Sequence, residues 1–361
     1  MNKDKTNPSA PRALIIGATG LSGRYAARLF RSKGWHVTTL SRGTASDTES
    51  DRHVAVDLMD LAAVATALAG LTDITHVFLC IWSMQANEAE NVRVNKAMLV
   101  NLFAGLPAGP LRHIALVTGL KHYLGPFEAY ASGKPYTPFL ESQPRLPGLN
   151  FYYDQEDVVF AEAQRRNVTW SVHRPHTMIG VALGNAMNMG VTLAVYASIC
   201  KAAEKPFVFP GSIEQYNATI DVTDAGILAE QLHWAVSTPE AANMPFNIVN
   251  GDVFRWTWLW AQIADYFGLA VAPHPGRPTP LVEQMRDAGP IWSRLVGAHC
   301  LEEWDVGKLA SWWHSDADLG RTMECFTDMT NSRTRGFTSY RSTRESFYRV
   351  FDELRERKII P

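Results

Sequence analysis

Two tyrosine–lysine sets in this sequence compete for the same chemistry. A tyrosine hydroxyl can donate a hydrogen bond to a carbonyl oxygen that gains negative charge, and a nearby ammonium can stabilise that charge. In YASGK (130–134), Tyr130 and Lys134 have the spacing of one helical turn. Gly133 interrupts the segment and Pro135 disfavours helical backbone at Lys134, so a loop is expected and the pairing fails. The second set is spread along the chain. NFYYDQEDVVFAEAQRRN (150–167) has Asn150 ahead of the run, acids in its first turns and arginines at its end. Those are the marks of a capped helix with charges aligned to its dipole. Tyr152 and Tyr153 enter at the top of that helix, and Lys121 stands just past an apolar strand segment, RHIALVTG (112–119). Nothing in the chemistry requires the tyrosine and the lysine to share a helix.

The elements that must position these groups start near the N-terminus. ALIIG is an apolar run fit for a buried strand, GATGLSG is a glycine turn, and LSGRYAARLF has apolar residues at helical spacing. Gly17, Gly20 and Gly23 are spaced GxxGxxG, and strand, glycine turn and helix together point to a dinucleotide whose phosphates sit at the helix N-terminus. Thr19, Leu21 and Ser22 are the other candidate contacts in that loop. WHVTTL, the next strand, ends in Ser41-Arg42-Gly43, where a carboxylate for the ribose hydroxyls would stand in an NAD-dependent protein. Arg42 can pair with a 2′-phosphate instead, so NADPH is the expected cofactor.

Strands and helices continue to alternate through HVAVDLMD, THVFLCIW, RHIALVTG and VTWSVHRP. This predicts an α/β fold, a Rossmann-type doubly wound parallel sheet with a smaller C-terminal substrate-covering region. Ligands in such sheets lie past the carboxyl ends of the strands, which adds Asp57, Leu58, Ile81, Trp82 and Thr118 to the cofactor candidates, with Met178 and Ile179 in HRPHTMIG after the sixth strand. The expected organisation is a disordered tail over 1–12, an NADPH-binding core over 13–180, and a mixed segment over 181–361 that completes the core and forms the cap. Trp82, Tyr123, Phe127, Tyr152 and Tyr196 are the candidate walls of an apolar substrate pocket. His122, His173 and His176 form no metal pattern, and no metal is expected. In FVFPGSIEQYNATIDVTDAGILAEQLHWAV, Asp221 and Thr223 are candidate caps of a following helix, and YRSTRESFYRVFDELRERK predicts an amphipathic closing helix.

Composition narrows the partners. The chain has 361 residues, 34 basic and 36 acidic, so its net charge of −2 gives no reason to expect nucleic acid or an anionic membrane. Four cysteines far apart, with no CxxC, fit free thiols in a reducing compartment. The polar start is unlike a signal peptide and the most apolar run, MGVTLAVYASIC, is too short to span a bilayer, so a cytoplasmic protein is expected. A homodimer is compatible with all of this.

TGLKHYLGPFEAY, NFYYDQEDVVFAEA, TWSVHRPHTMIG and FNIVNGDVFRW resemble the progesterone 5β-reductase/iridoid synthase-like family, an atypical branch of the short-chain dehydrogenase/reductases, and the resemblance runs on to FDELRERKIIP at the C-terminus. It implies that Lys121 and Tyr152 are the catalytic pair, Tyr153 a packing residue and YASGK a decoy. It also implies NADPH in the glycine loop and beside Arg42 and Asp57. The expected activity is reduction of the carbon–carbon double bond of a small apolar enone, with Tyr152 and Lys121 stabilising the enolate. The alternatives are an NAD(P)-dependent ketone reductase, epimerase or dehydratase on the same scaffold, or a non-catalytic NADPH-binding regulator.

Overall fold

RALII supplies the innermost strand because four of its five side chains are apolar and the sheet is covered on both faces. A computed structural model describes residues 10–43, 49–125, 136–185 and 187–361, and in it this segment is β1 (Arg12–Ile16), buried from Ala13 onward. Arg12 therefore belongs to the sheet and not to the expected tail. Five more strands follow: β2 (His36–Ser41), β3 (Arg52–Ala55), β4 (His76–Leu79), β5 (His113–Val117) and β6 (Thr169–Pro175). A two-residue parallel pair, β7 (Met178–Ile179) with β8 (Thr223–Asp224), lies outside the main sheet. The last strand, β9 (Met244–Ile248), comes from the second half of the chain and joins β6.

The main sheet has seven strands in the order β3-β2-β1-β4-β5-β6-β9, all parallel. The order reverses between β1 and β4, and a crevice opens at the carboxyl ends of strands at such a point. Helices α1 (Leu21–Ser32), α2 (Leu61–Leu68), α3 (Glu88–Gly105), the one-turn α4 (Lys121–Leu124) and α5 (Phe151–Arg166) connect the strands. Strands β3 and β4 end earlier than the apolar runs that contain them, so Asp57 and the Cys80–Trp82 segment are released to the crevice.

Three of these helices start on side-chain caps. Asp60, Asn87 and Asn150 each accept a backbone N–H of the first turn of α2, α3 and α5. Such caps are worth about 1 kcal/mol each. Helix α3 packs on α2 and α5 over one face of the sheet, and α1 packs beside the helix Ala225–Ser237 over the other. That last helix is capped by Asp224, which accepts Gly226 N at 2.7 Å, and not by the expected Asp221 or Thr223. Both of those are spent elsewhere: Asp221 meets His176 and Thr327, and the Thr223 hydroxyl lies 2.6 Å from Ile248 O.

The second half builds its own core around α6 (Met189–Ala202). Every residue from Met189 to Cys200 is buried, which is why MGVTLAVYASIC is apolar on all sides. No helix among the described residues is long and apolar enough to cross a membrane. The closing helix spans Thr343–Glu356 and lays Phe347, Val350, Phe351 and Leu354 on the α6 core. The four cysteines are free thiols.

Candidate active site

The sheet's carboxyl edge carries a cleft of about 800 Å³. At one end lies the glycine turn. Gly17 has φ +85°, and a Cβ there would stand 2.3 Å from Cys80 O, so only glycine fits between β1 and β4. Gly23 does not line the cleft; a Cβ on it would meet Gly17 O at 2.5 Å, so its task is the close approach of α1 to the turn. Helix α1 follows Gly20 with no side-chain cap, unlike α2, α3 and α5, and has no acid in its first turn. Its free N–H groups, next to Thr19, Leu21 and Ser22, face the cleft as an anion site.

Ser41, Arg42, Asp57 and Leu58 form the outer wall of this end, with Arg42 exposed at the end of β2. Asp57 turns one carboxylate oxygen back to accept Met59 N at 2.9 Å. These groups fit a dinucleotide: uncapped amides for its pyrophosphate, with the Arg42 cation past β2 and the Asp57 carboxylate past β3 on the same wall. Ile81, Trp82, Thr118 and Met178 continue the lining inward. Ile179 does not; it is fully buried against the α6 core.

The centre of the cleft holds Lys121 and Tyr152. Lys121 is 5% exposed, on the turn that α4 makes directly after β5, and its ammonium lies 2.5 Å from Glu88 Oε2 and 4.5 Å from the centre of the Phe151 ring. Tyr152 stands in the first turn of α5. Asn150 ties the two together: its Oδ1 accepts Tyr152 N at 3.1 Å, and its Nδ2 donates to Lys121 O at 3.0 Å. Two residues 31 apart in sequence are thereby held by one side chain. Gly119 stands beside the phenol, a Cβ there lying 3.4 Å from Tyr152 Oη. The ring is deep in the protein while part of its surface opens on the cleft. Burial, and after it the Glu88 carboxylate, push its phenol above the ordinary tyrosine value, so the hydroxyl keeps its proton. It has no hydrogen-bond partner among the described residues, which leaves it a donor aimed at a ligand.

Tyr153 is spent internally. Its hydroxyl donates to His122 O at 2.7 Å and accepts Leu146 N at 2.9 Å. His122 is buried, with its pKa lowered to about 3 by burial and then by Arg174. Two proposed pocket walls must be corrected. Tyr196 is fully buried in α6, its hydroxyl within 2.9 Å of Val208 O and 2.8 Å of Gln284 Oε1. Tyr123 is stacked on Phe139 and donates to Asn247 Oδ1 at 2.7 Å, so its aromatic face belongs to packing. Phe127 lies outside the described residues, as do Tyr130 and Lys134 of YASGK. Trp82 lines the cleft and stacks on Phe151, with ring centres 5.4 Å apart.

Sequence reading missed Glu88, Phe151 and the far wall formed by Trp313, His314, Asp318 and Arg321. Glu88 had a signal, since it is the first helical residue after the β4 strand-end segment; the far wall had none, because it comes from a distant helix. No group of three or more metal-ligating side chains occurs among the described residues.

The fold is similar to that of UDP-glucose 4-epimerase from Thermotoga maritima, at a TM-score of 0.66 and 12% identity over 96% of this chain and 99% of that one. Sequence relatives stand much nearer. An (S)-8-oxocitronellyl enol synthase from Camptotheca acuminata is 38% identical over 97% of this chain and 93% of its own length. A 3-oxo-Δ(4,5)-steroid 5β-reductase from Arabidopsis thaliana is 37% identical over the same shares of 97% and 93%. Residues 54–361 match the PRISE-like Rossmann-fold domain. With the parallel sheet, the glycine turn and nearly full-length likeness in agreement, the chain belongs to the PRISE-like family of Rossmann-fold proteins, the branch that holds the 5β-reductases and iridoid synthases.

Proposed function

We propose that this protein is an NADPH-dependent reductase of the carbon–carbon double bond of α,β-unsaturated carbonyl compounds. When bound, the nicotinamide cofactor supplies hydride. The uncapped first turn of α1 holds its pyrophosphate, Arg42 its 2′-phosphate, and Thr118 and Met178 border its nicotinamide end. The relatives' names support the reaction class, one being a steroid 5β-reductase. The observation that carries the reading is the tie between Lys121 and Tyr152 through Asn150, with a phenol that has no hydrogen-bond partner among the described residues facing the cleft.

In a 1,4-reduction, negative charge collects on the carbonyl oxygen as the β-carbon is reduced. The Tyr152 hydroxyl donates a hydrogen bond to that oxygen, and the Lys121 ammonium adds positive charge beside it. The raised phenol pKa suits a donor that keeps its proton through the step. The α-carbon then takes its proton from water. In ketone reduction, by contrast, the oxygen itself must be protonated to release an alcohol.

The test is product analysis with 4-deuterated NADPH and 2-cyclohexen-1-one. Deuterium at the β-carbon of the saturated ketone is the expected result. Label at the carbinol carbon of an allylic alcohol overturns the reading in favour of ketone reduction.

A further inference from the structure

The strand end that carries Arg42 is held from the edge of the sheet. Strand β3 is the outermost strand at that side of the main sheet, and its register sets Thr39 opposite His53 and Ser41 opposite Ala55. Side chains two apart share one face of a strand, so Thr39, Ser41 and His53 lie together on one side of the sheet. The His53 ring uses both of its nitrogens there. Nδ1 lies 2.9 Å from the Thr39 hydroxyl, and Nε2 lies 2.9 Å from Gly43 O and 3.3 Å from Ser41 Oγ. Ser41 Oγ in turn donates to Gly43 O at 3.1 Å.

A carbonyl oxygen can only accept, so Nε2 carries a hydrogen and donates it to Gly43 O. The pairing of β2 with β3 ends at Ser41 and Ala55, and beyond it the chain is tied back through this one imidazole. The residues on either side of Arg42 are thereby joined to the same ring, while Arg42 itself is exposed and lines the cleft. His53 is half-buried and is not among the residues that line the cleft, so its influence on a ligand runs through the strand end. An arginine that closes on a phosphate gives up side-chain and backbone freedom, and a backbone already fixed on both sides of it lowers that loss.

We propose that His53 is a positioning residue for cofactor choice: it fixes the Ser41–Gly43 turn so that the Arg42 guanidinium is presented to the 2′-phosphate of NADPH. The inference rests on the NADPH reading and names a residue, outside the cleft, through which that selectivity is set.

The experiment titrates the full-length protein with NADPH and with NADH by fluorescence. The ratio of the two dissociation constants is taken within each variant, so a general loss of folded protein cancels. The unaltered protein should favour NADPH. His53→Phe, a residue suited to a half-buried edge strand, should lower that preference about three- to tenfold by weakening NADPH alone. His53→Gln, which keeps an N–H donor, should retain part of it. In an Arg42→Ala background His53→Phe should change the ratio no further, because its effect passes through Arg42. Thr39→Val removes the hydroxyl beside Nδ1 and should lower the ratio in the same direction, which supplies the answer if His53→Phe does not fold. A preference that survives His53→Phe, or Thr39→Val in its place, overturns the role of His53. So does a preference that falls as far in the Arg42→Ala background as in the unaltered protein. No preference for NADPH in the unaltered protein overturns the NADPH reading and takes this inference with it.

Discussion

Glu88 holds Lys121 and the start of α5 with one carboxylate: Oε2 lies 2.5 Å from the Lys121 ammonium, and Oε1 accepts Phe151 N at 2.9 Å. The lysine that supplies positive charge to the cleft is therefore not a lone cation. Its charge is compensated by a residue at the head of α3, and the same contact anchors the helix turn that carries Tyr152.

Glu88→Ala should cost stability first. Both partners are largely buried, and removing one member of such a pair typically costs about 3–5 kcal/mol. A urea midpoint would measure it, with the relatives' shared fold retained in the circular-dichroism spectrum. A loss under about 1 kcal/mol would show that the pair contributes little and that Lys121 is held by its packing on Phe151.

Tyr152 and Tyr153 should separate cleanly. Tyr152→Phe removes a hydroxyl with no partner among the described residues, so stability should hold while turnover falls by roughly a hundred- to a thousandfold. Tyr153→Phe removes the bonds to His122 O and Leu146 N, so it should lower stability by about 1–3 kcal/mol and leave turnover much higher than in the first variant. The reverse order would transfer the catalytic role to Tyr153.

Arg42 offers the cofactor test. Arg42→Ala should weaken NADPH binding by about tenfold or more and NADH binding little, because only NADPH carries the 2′-phosphate. Cofactor titration by fluorescence gives both constants. Equal losses would mean that Arg42 supports the loop and does not choose the cofactor.

Acid should weaken the fold before most carboxylates titrate. His113 and His173 are joined through Ser171 Oγ, at 2.9 Å on each side, in the heart of the sheet. Burial lowers His113 to about 3 and His173 to about 4. The unfolded chain binds these protons below about pH 6.5, whereas the folded protein resists them until near pH 4. Stability is therefore full above pH 6.5 and declines as pH falls through this window, by up to about 1.4 kcal/mol per pH unit for each histidine. Urea midpoints at pH 7 and pH 5 should differ in that sense. Identical midpoints would mean that the two rings accept protons in the folded state.

What the sequence determined by itself is local. The apolar run ahead of GATGLSG dictates β1, the turn and α1, because backbone geometry at Gly17 and close packing at Gly23 admit no side chain. Asn150 with the charges after it dictates α5, since a cap and a dipole act within one turn. Alternating segments dictate a parallel sheet, and with it the edge where a ligand sits. Tertiary structure decided the rest. Aromatic side chains are equally apolar in a core and in a pocket, so nothing local separates Trp82, on the cleft, from Tyr196, sealed inside α6. Hydrophobic periodicity says which face of a helix is covered, not what covers it. The Glu88–Lys121 contact joins residues 33 apart, the Thr177–Asp318 contact residues 141 apart, and β9 pairs with β6 across three intervening α-helices. Such meetings depend on how the whole chain closes around the sheet, and they put His314 in the cleft.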